Sequence, residues 1–267
     1  LILPFLQSTD PGLVCSAITS FLYEESQDGP AHKRLQQLLA LGKIGPAPER
    51  RETAKLLGEL PVQYHEHLVT YLEDSDISVR KLALFAAGKS KNLMLIPTLL
   101  QLLANRKVRI EAREALIQYG DQAVPSVRKG LDDYNLPIGI RLQFPRLLRL
   151  IGTETAAQAF LFSNIDDDPY LRYLIGKELA NVHKNHPYLK MDRARLDAAS
   201  MRRLRAYKIY LPVWLDLHLS GERYRLLAKA LFGRVKQNLE IGMKLLSLYR
   251  DHDRILQAFH CIIDEDQ

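Results

Sequence analysis

Four short stretches decide how this sequence is read: Val79-Arg80-Lys81-Leu82-Ala83, Val108-Arg109-Ile110-Glu111-Ala112, Ile140-Arg141-Leu142-Gln143-Phe144 and Leu171-Arg172-Tyr173-Leu174-Ile175. Each places an aliphatic residue before an arginine and another apolar residue three positions after it. Arg50-Arg51-Glu52-Thr53-Ala54 is a weaker first copy, and the arginines at 51, 80, 109, 141 and 172 are 29, 29, 32 and 31 residues apart. Self-similarity at a period near 30 marks a supersecondary unit that is stacked rather than a fold built once.

Within one period the residues spell helix, turn, helix. In the third unit Val108, Ala112, Ala115, Leu116 and Tyr119 fall on one face at helical spacing, whereas alternation at a period of two is absent. Gly120 and Gly152 follow Arg109 and Arg141 by eleven residues and predict a helix stop in a conformation glycine reaches without a Cβ clash. Second helices are then expected to open at Leu95-Ile96-Pro97, Ala123-Val124-Pro125 and Thr153-Glu154, with proline or a capping hydroxyl in the first turn. Asp76, and Asp168 followed by Pro169, predict capped starts to the helices that carry Arg80 and Arg172.

A helical pair of this length cannot bury its apolar faces alone, so neighbouring pairs have to seal one another. The fold class expected is all-α, a right-handed α-solenoid of helical hairpins with a C-terminal helical cap. The repeat is expected over residues 1–189, clearest from Arg50 to about His183, with Asp10-Pro11 and Ala31–Leu41 opening a weaker first pair. Residues 190–267 read as a different, basic helical region packed on the end. There Leu196, Ala199, Leu204, Tyr207 and Leu211 form one stripe before Pro212, which should end or kink the helix. Ala228, Leu231, Val235, Leu239, Gly242, Leu246 and Tyr249 form a narrow seam on the next helix, and a last helix runs from about His252 to Ile263.

The units resemble HEAT repeats. That resemblance implies a structural ladder in which an aspartate between units pairs with the arginine of the first helix, placing Asp76 with Arg80, Asp168 with Arg172, Asn105 partly with Arg109, and interrupting the ladder at Arg141, where Pro137 replaces the acid. Phrases such as Glu111–Tyr119, Gln122–Val127, Phe144-Pro145-Arg146-Leu147-Leu148 and Leu171-Arg172-Tyr173, followed by long basic helices, also resemble the cytosolic region fused to bacterial membrane proteins of the ATP/ADP-translocase-like transporter family. This second resemblance implies a cytoplasmic module at the cytosolic face of the inner membrane, attached to a longer chain. A first residue that is Leu1 rather than Met agrees with that expectation.

The charge is local. Net charge is +6 over the 267 residues, but the segment from Lys190 to Lys236 holds twelve basic and four acidic side chains, a balance of +8 against −2 for the remainder. Arg195, Arg202, Arg203, Arg205, Arg223 and Arg225 are therefore the candidates for contact with an anionic partner, if they do not simply solvate a helix face.

Signs of chemistry are few. His65 and His67, two positions apart, would point about 200° apart on a helix, and His183 with His186 lacks a third ligand. Asp166-Asp167-Asp168 has neither the spaced oxygens nor the glycine of a calcium loop and reads as a helix start. Gly42-Lys43-Ile44-Gly45-Pro46 is a turn rather than a phosphate loop. Cys15 has no adjacent cation to activate it, and two cysteines in 267 residues give no disulfide framework or zinc site. No metal, cofactor or catalytic residue is expected. The leading expectation is a non-catalytic interaction or regulatory module for a protein or an adjacent domain. The alternative is a nucleic-acid-binding repeat protein, resembling DNA glycosylases through Trp214, Asp216, Tyr207 and Tyr210 on a basic face.

Overall fold

The computed structural model describes residues 3–22, 29–162 and 168–264. All regular structure among them is helical. The helices are α1 (Pro11–Phe21), α2 (Pro30–Leu41), α3 (Ala47–Leu57), α4 (Leu68–Leu72), α5 (Ile77–Ser90), α6 (Ile96–Leu102), α7 (Arg109–Tyr119), α8 (Val124–Asp132), α9 (Ile138–Arg141), α10 (Phe144–Ile151), α11 (Glu154–Phe162), α12 (Pro169–Asn185), α13 (Arg193–Leu219), α14 (Arg225–Ser247) and α15 (His252–Asp264). The chain forms two compact units, Leu1–Ser126 and Val127–Gln267.

In the first unit α1, α3, α5 and α7 pack side by side in sequence order, while α4 packs on α5 and α6 on α7. The α-solenoid class read from the repeat is thus what the chain builds. The starts are set by short-range chemistry. The Asp10 carboxylate accepts from the Gly12 and Leu13 N–H groups, and Asp76 accepts from the Ser78 N–H and hydroxyl, satisfying donors that a helix leaves open. Gly120 has φ of 55° and Gly152 of 67°, as their helix-stop role requires; Gly152 is left-handed, whereas Gly120 has ψ of −131°. The core is a column of aliphatic side chains, Leu57, Leu72, Leu84, Leu99 and Leu116 among them, all fully buried.

What lets the layers approach is a pair of small residues thirty positions apart. A Cβ on Gly58 would lie 2.7 Å from the Ala86 Cα, and one on Gly88 would lie 3.0 Å from the Ala115 Cα. Both neighbours are backbone atoms, so α5 approaches Gly58, at the end of α3, closer than a side chain there allows, while a side chain at Gly88 would need α7 to give by a few tenths of an ångström. Tyr119 links the last two layers: its buried hydroxyl lies 2.9 Å from the Ala87 carbonyl and 3.0 Å from that of Asn92, and burial pushes its acidity up to about 12.

In the second unit the helix expected to run from Arg141 to Gly152 is broken into α9 and α10. Pro145 lacks the N–H that would bond back to Arg141 and its ring crowds that turn. α12 packs on α10 and α14, and α13 and α14 form a long antiparallel hairpin closed by α15. Gly176 of α12 admits the Ile241 side chain, and Gly242 of α14 lies under Leu204. The last repeat helix therefore shares a core with the long hairpin, and the change of pattern near residues 187–192 falls inside one compact unit. Pro212 does not end its helix: α13 continues to Leu219. Pro212 is exposed, so the carbonyl deprived of its donor is on the side open to water.

Candidate interaction surface

The repeated arginines do not meet the aspartates that the ladder assigned to them. Asp76 and Asp168 spend their carboxylates on their own helix starts, Asp168 accepting from the Tyr170 and Leu171 N–H groups at 3.0 and 2.9 Å. Among the described residues Arg80 and Arg172 have no carboxylate within 4.0 Å, and the Nε of each is shut from solvent without a hydrogen bond. Arg109 donates from Nε to the Leu103 carbonyl at 2.6 Å and from Nη2 to that of Ala104 at 3.1 Å. Arg141, buried, donates from Nε and Nη2 to the Leu131 carbonyl at 3.0 and 2.7 Å and lies 4.7 Å from the Tyr134 ring. These two arginines close the C-terminal ends of the helices before them, where carbonyls lack donors and the helix dipole is negative.

The buried guanidinium–carboxylate pair lies one residue from where the first repeat copy placed it. Arg50, not Arg51, forks onto Asp74 through Nε and Nη2 at 2.8 and 3.1 Å, and Asp74 also accepts from the Asp76 N–H at 2.8 Å. Between layers, ion pairs do recur with the repeat, on residues the motif omits: Lys43–Glu73, Lys89–Glu59, Lys81–Glu111 and Arg149–Glu178. The members of each pair are one period apart in sequence, a signal that opposite charges at that spacing would have disclosed. Burial pushes the Glu111 carboxyl up, yet hydrogen bonds from Lys81 and from its own backbone outweigh it and leave the group below the usual range.

The basic C-terminal side chains divide into two settings. Arg195 pairs with Asp192 at 3.2 Å and Arg225 with Glu222 at 3.5 Å, both exposed; Arg223 lies 5.4 Å from the Tyr224 ring; Arg202 and Arg205 face solvent. Arg203 instead lines a small cleft with Arg172 and Arg234. Of the six candidate arginines, Arg203 is thus in a cleft and the other five are on exposed positions.

The far half of the α13–α14 hairpin carries the most exposed apolar surface of the second unit. Buried residues of α13 end at Ser200, whose hydroxyl donates to the Gly242 carbonyl at 2.9 Å. Beyond it Ile209 is 65 % exposed, Leu219 and Leu226 80 % each, and Leu227 56 %. Trp214 packs on His218 and Phe232, with ring centroids 5.3 and 4.9 Å away, so it braces the hairpin internally. Beside it an open groove of about 590 Å³ is rimmed by Arg225, Lys229 and Glu222. Asp216 is exposed, and its carbonyl accepts from the Ser220 hydroxyl and N–H.

The histidines have structural places. His65 is buried in a 3-10 turn, with Nε2 2.7 Å from the Leu60 carbonyl, and His186 bonds Tyr188 at 3.0 Å. No group of three metal-binding side chains occurs among the described residues; Asp166 and Asp167 lie outside them. Cys15 is buried, which pushes its thiol up to about 12. No helix among the described residues is long and apolar enough to cross a membrane.

Stacked helical hairpins with arginine-closed helix ends define an α-helical repeat protein. Residues 65–138 match the HEAT repeats family, a stretch that contains α5 to α8. No curated protein matches the chain. Among solved structures it is similar to a chain in the complex of CpcE and CpcF of phycocyanin lyase from Nostoc sp. PCC7120, with 20% identity over 68% of this chain and 86% of that one and a TM-score of 0.34.

Proposed function

We propose that this chain is a non-catalytic interaction module whose α13–α14 hairpin tip docks on an apolar, acid-rimmed surface of a partner protein or adjacent domain. The observation that carries this reading is the concentration of Leu219, Leu226 and Leu227 at one hairpin end, each more than half exposed. Clustered apolar residues with a charged rim are costly to leave in water and are the usual core of a docking site. Arg223, Arg225 and Lys229 flank the tip and favour acidic neighbours through steering rather than raw affinity. Within the second unit α12 packs on α14 and gives the hairpin a base, and function follows from what docks on it.

Attachment to a transporter-like membrane protein rests on sequence resemblance alone. The open reading frame around this segment tests it: membrane-spanning segments in the same frame support attachment, and their absence removes it.

The docking reading is tested with a photo-cross-linking residue placed at Leu219 or Leu226 in the full-length protein in its own cells. One partner band should be shared by both positions and be lost when Leu227 is replaced by Ser. Cross-linking that is unspecific, or unchanged in Leu227→Ser, refutes it. A mobility-shift titration with duplex DNA separates the nucleic-acid alternative, since affinity carried by phosphate contacts falls with salt at a log–log slope of about −0.9 per contact.

A further inference from the structure

The outward strip of α13 between residues 201 and 213 takes no part in the packing of the second unit. Met201, Arg202, Arg205, Lys208, Ile209 and Val213 are all exposed, and at 100° per residue they fall within an arc of about 140°. The helix spends its other side on the core, where Leu196 and Ser200 are buried and Leu204 lies over Gly242. On the strip Ile209 is 65 % exposed, Val213 49 % and Met201 38 %. Among the described residues no carboxylate lies within 4.0 Å of Arg202, Arg205 or Lys208, and the next acid along the strip, Asp216, lies past Val213 towards the tip. Three cations and three exposed apolar side chains therefore alternate along one ridge, about 18 Å long at 1.5 Å per residue.

We propose that this strip lays the second unit on an anionic phospholipid surface, with α13 parallel to the plane of the bilayer. The occupant has to meet both kinds of side chain at once. A nucleic-acid backbone satisfies the cations and leaves Ile209 and Val213 in water. A protein has to hold acids at the fixed spacing of Arg202, Arg205 and Lys208 and offer apolar surface between them. An anionic leaflet does both without a fixed geometry, because its headgroups move laterally to each cation and acyl carbon lies just beneath them. The arginine and lysine stems lie along the apolar zone while their charged ends reach the phosphates. No helix among the described residues is long and apolar enough to cross the membrane, so the contact is peripheral. Each cation close to an anionic leaflet contributes roughly a fivefold gain in affinity. This surface is separate from the hairpin tip, since Ile209 precedes Leu219 by ten residues, about 15 Å along the helix.

The test is co-sedimentation of the chain with vesicles of phosphatidylcholine alone and of equal parts phosphatidylcholine and phosphatidylglycerol. The anionic vesicles should bind the chain and the neutral ones should not, with binding weakened by high salt. Arg202→Gln, Arg205→Gln and Lys208→Gln together should weaken it tenfold or more, whereas the charge-matched set Lys33→Gln, Arg106→Gln and Lys107→Gln, exposed in the first unit, should leave it unchanged. Ile209→Asn with Val213→Asn, which keeps the charge, should weaken it fivefold or more. An environment-sensitive nitrobenzoxadiazole label on Ile209→Cys, in a Cys261→Ser background, should shift to the blue with anionic vesicles only, which reads the contact without removing a charge. Equal binding to both vesicles, binding to neither, or equal losses in the two charge sets overturns the proposal. Insensitivity to Ile209→Asn with Val213→Asn leaves a plain polyanion contact and also overturns it. Leu227→Ser, at the tip, should keep vesicle binding, so failure of the strip and failure of tip docking are told apart; a loss there equal to that of the Ile209 and Val213 pair overturns the assignment to the strip.

Discussion

Removing the Asp74 carboxylate should destabilise the first unit far more than removing that of Asp76, although only Asp76 stands where the repeat motif places its acid. Asp74 has a side chain 1% exposed and Arg50 one 13% exposed. The Asp74 carboxylate takes both arms of the Arg50 fork and the Asp76 N–H. Arg50 has one further acceptor, the Gly45 carbonyl. Asp74→Ala therefore strands a largely buried guanidinium and frees a backbone donor, which costs about 3 to 5 kcal/mol. For a unit of this size that is a fall in melting midpoint on the order of 10 to 20 °C. Asp76→Ala removes a helix cap in a half-buried turn and should cost markedly less, about 1 kcal/mol. The assay is urea unfolding of the single variants Arg50→Ala and Asp74→Ala and of the double variant, followed by far-ultraviolet circular dichroism. The double-mutant cycle should return a coupling of about 2 kcal/mol or more, because once one partner is gone the other has little left to lose. Additive losses, or an Asp74→Ala variant no less stable than Asp76→Ala, would refute the reasoning.

Arg109→Ala should cost about 2 kcal/mol in urea unfolding, since two helix-end carbonyls lose a charged donor. Gly58→Ala should cost about 1 to 3 kcal/mol, because its Cβ would meet the Ala86 backbone; Gly139→Ala, with nothing within 4 Å, is the neutral control. Burial raises Tyr71 and Tyr119 from 10.0, and Cys15 from 9.0, to about 12. The unfolded chain thus releases these protons first, so the stability they confer is complete below about pH 9 and is lost as pH rises towards 12. Urea midpoints from pH 8 to 11.5 should show that decline, with a shallower slope in Tyr119→Phe. Ellman's reagent should find one fast thiol in the native chain, exposed Cys261, and a second, Cys15, only after unfolding.

The repeat was legible because its signals are local. Asp10, Asp76 and Asp168 cap the helices that follow them, and prolines at the first turns and glycines at the stops act through their own dihedral angles. The seam on α14 was legible in part: Ala228, Val235, Leu239 and Gly242 are buried, whereas Leu231, Leu246 and Tyr249 are half-buried and Ile241 and Leu245, outside the seam, are buried. The ladder was not, because its motif assigns partners by position and the side chains choose them by reach. Asp76 finds the Ser78 N–H within its own turn, while Arg109 and Arg141 reach unpaired carbonyls that a preceding helix offers without regard to sequence.

The sequence by itself determined which segments are helical, where most of them start and stop, and that they must stack, since periodicity, capping and helical spacing all operate over a few residues. Only the tertiary structure decided that Gly58 and Gly88 set the spacing between layers, that Arg50 and not Arg51 holds the buried acid, and that Arg172, Arg203 and Arg234 share a cleft. Those facts depend on residues 24 or more positions apart being brought close together. Such distances are fixed by how helices cross and not by the order of residues along any one of them.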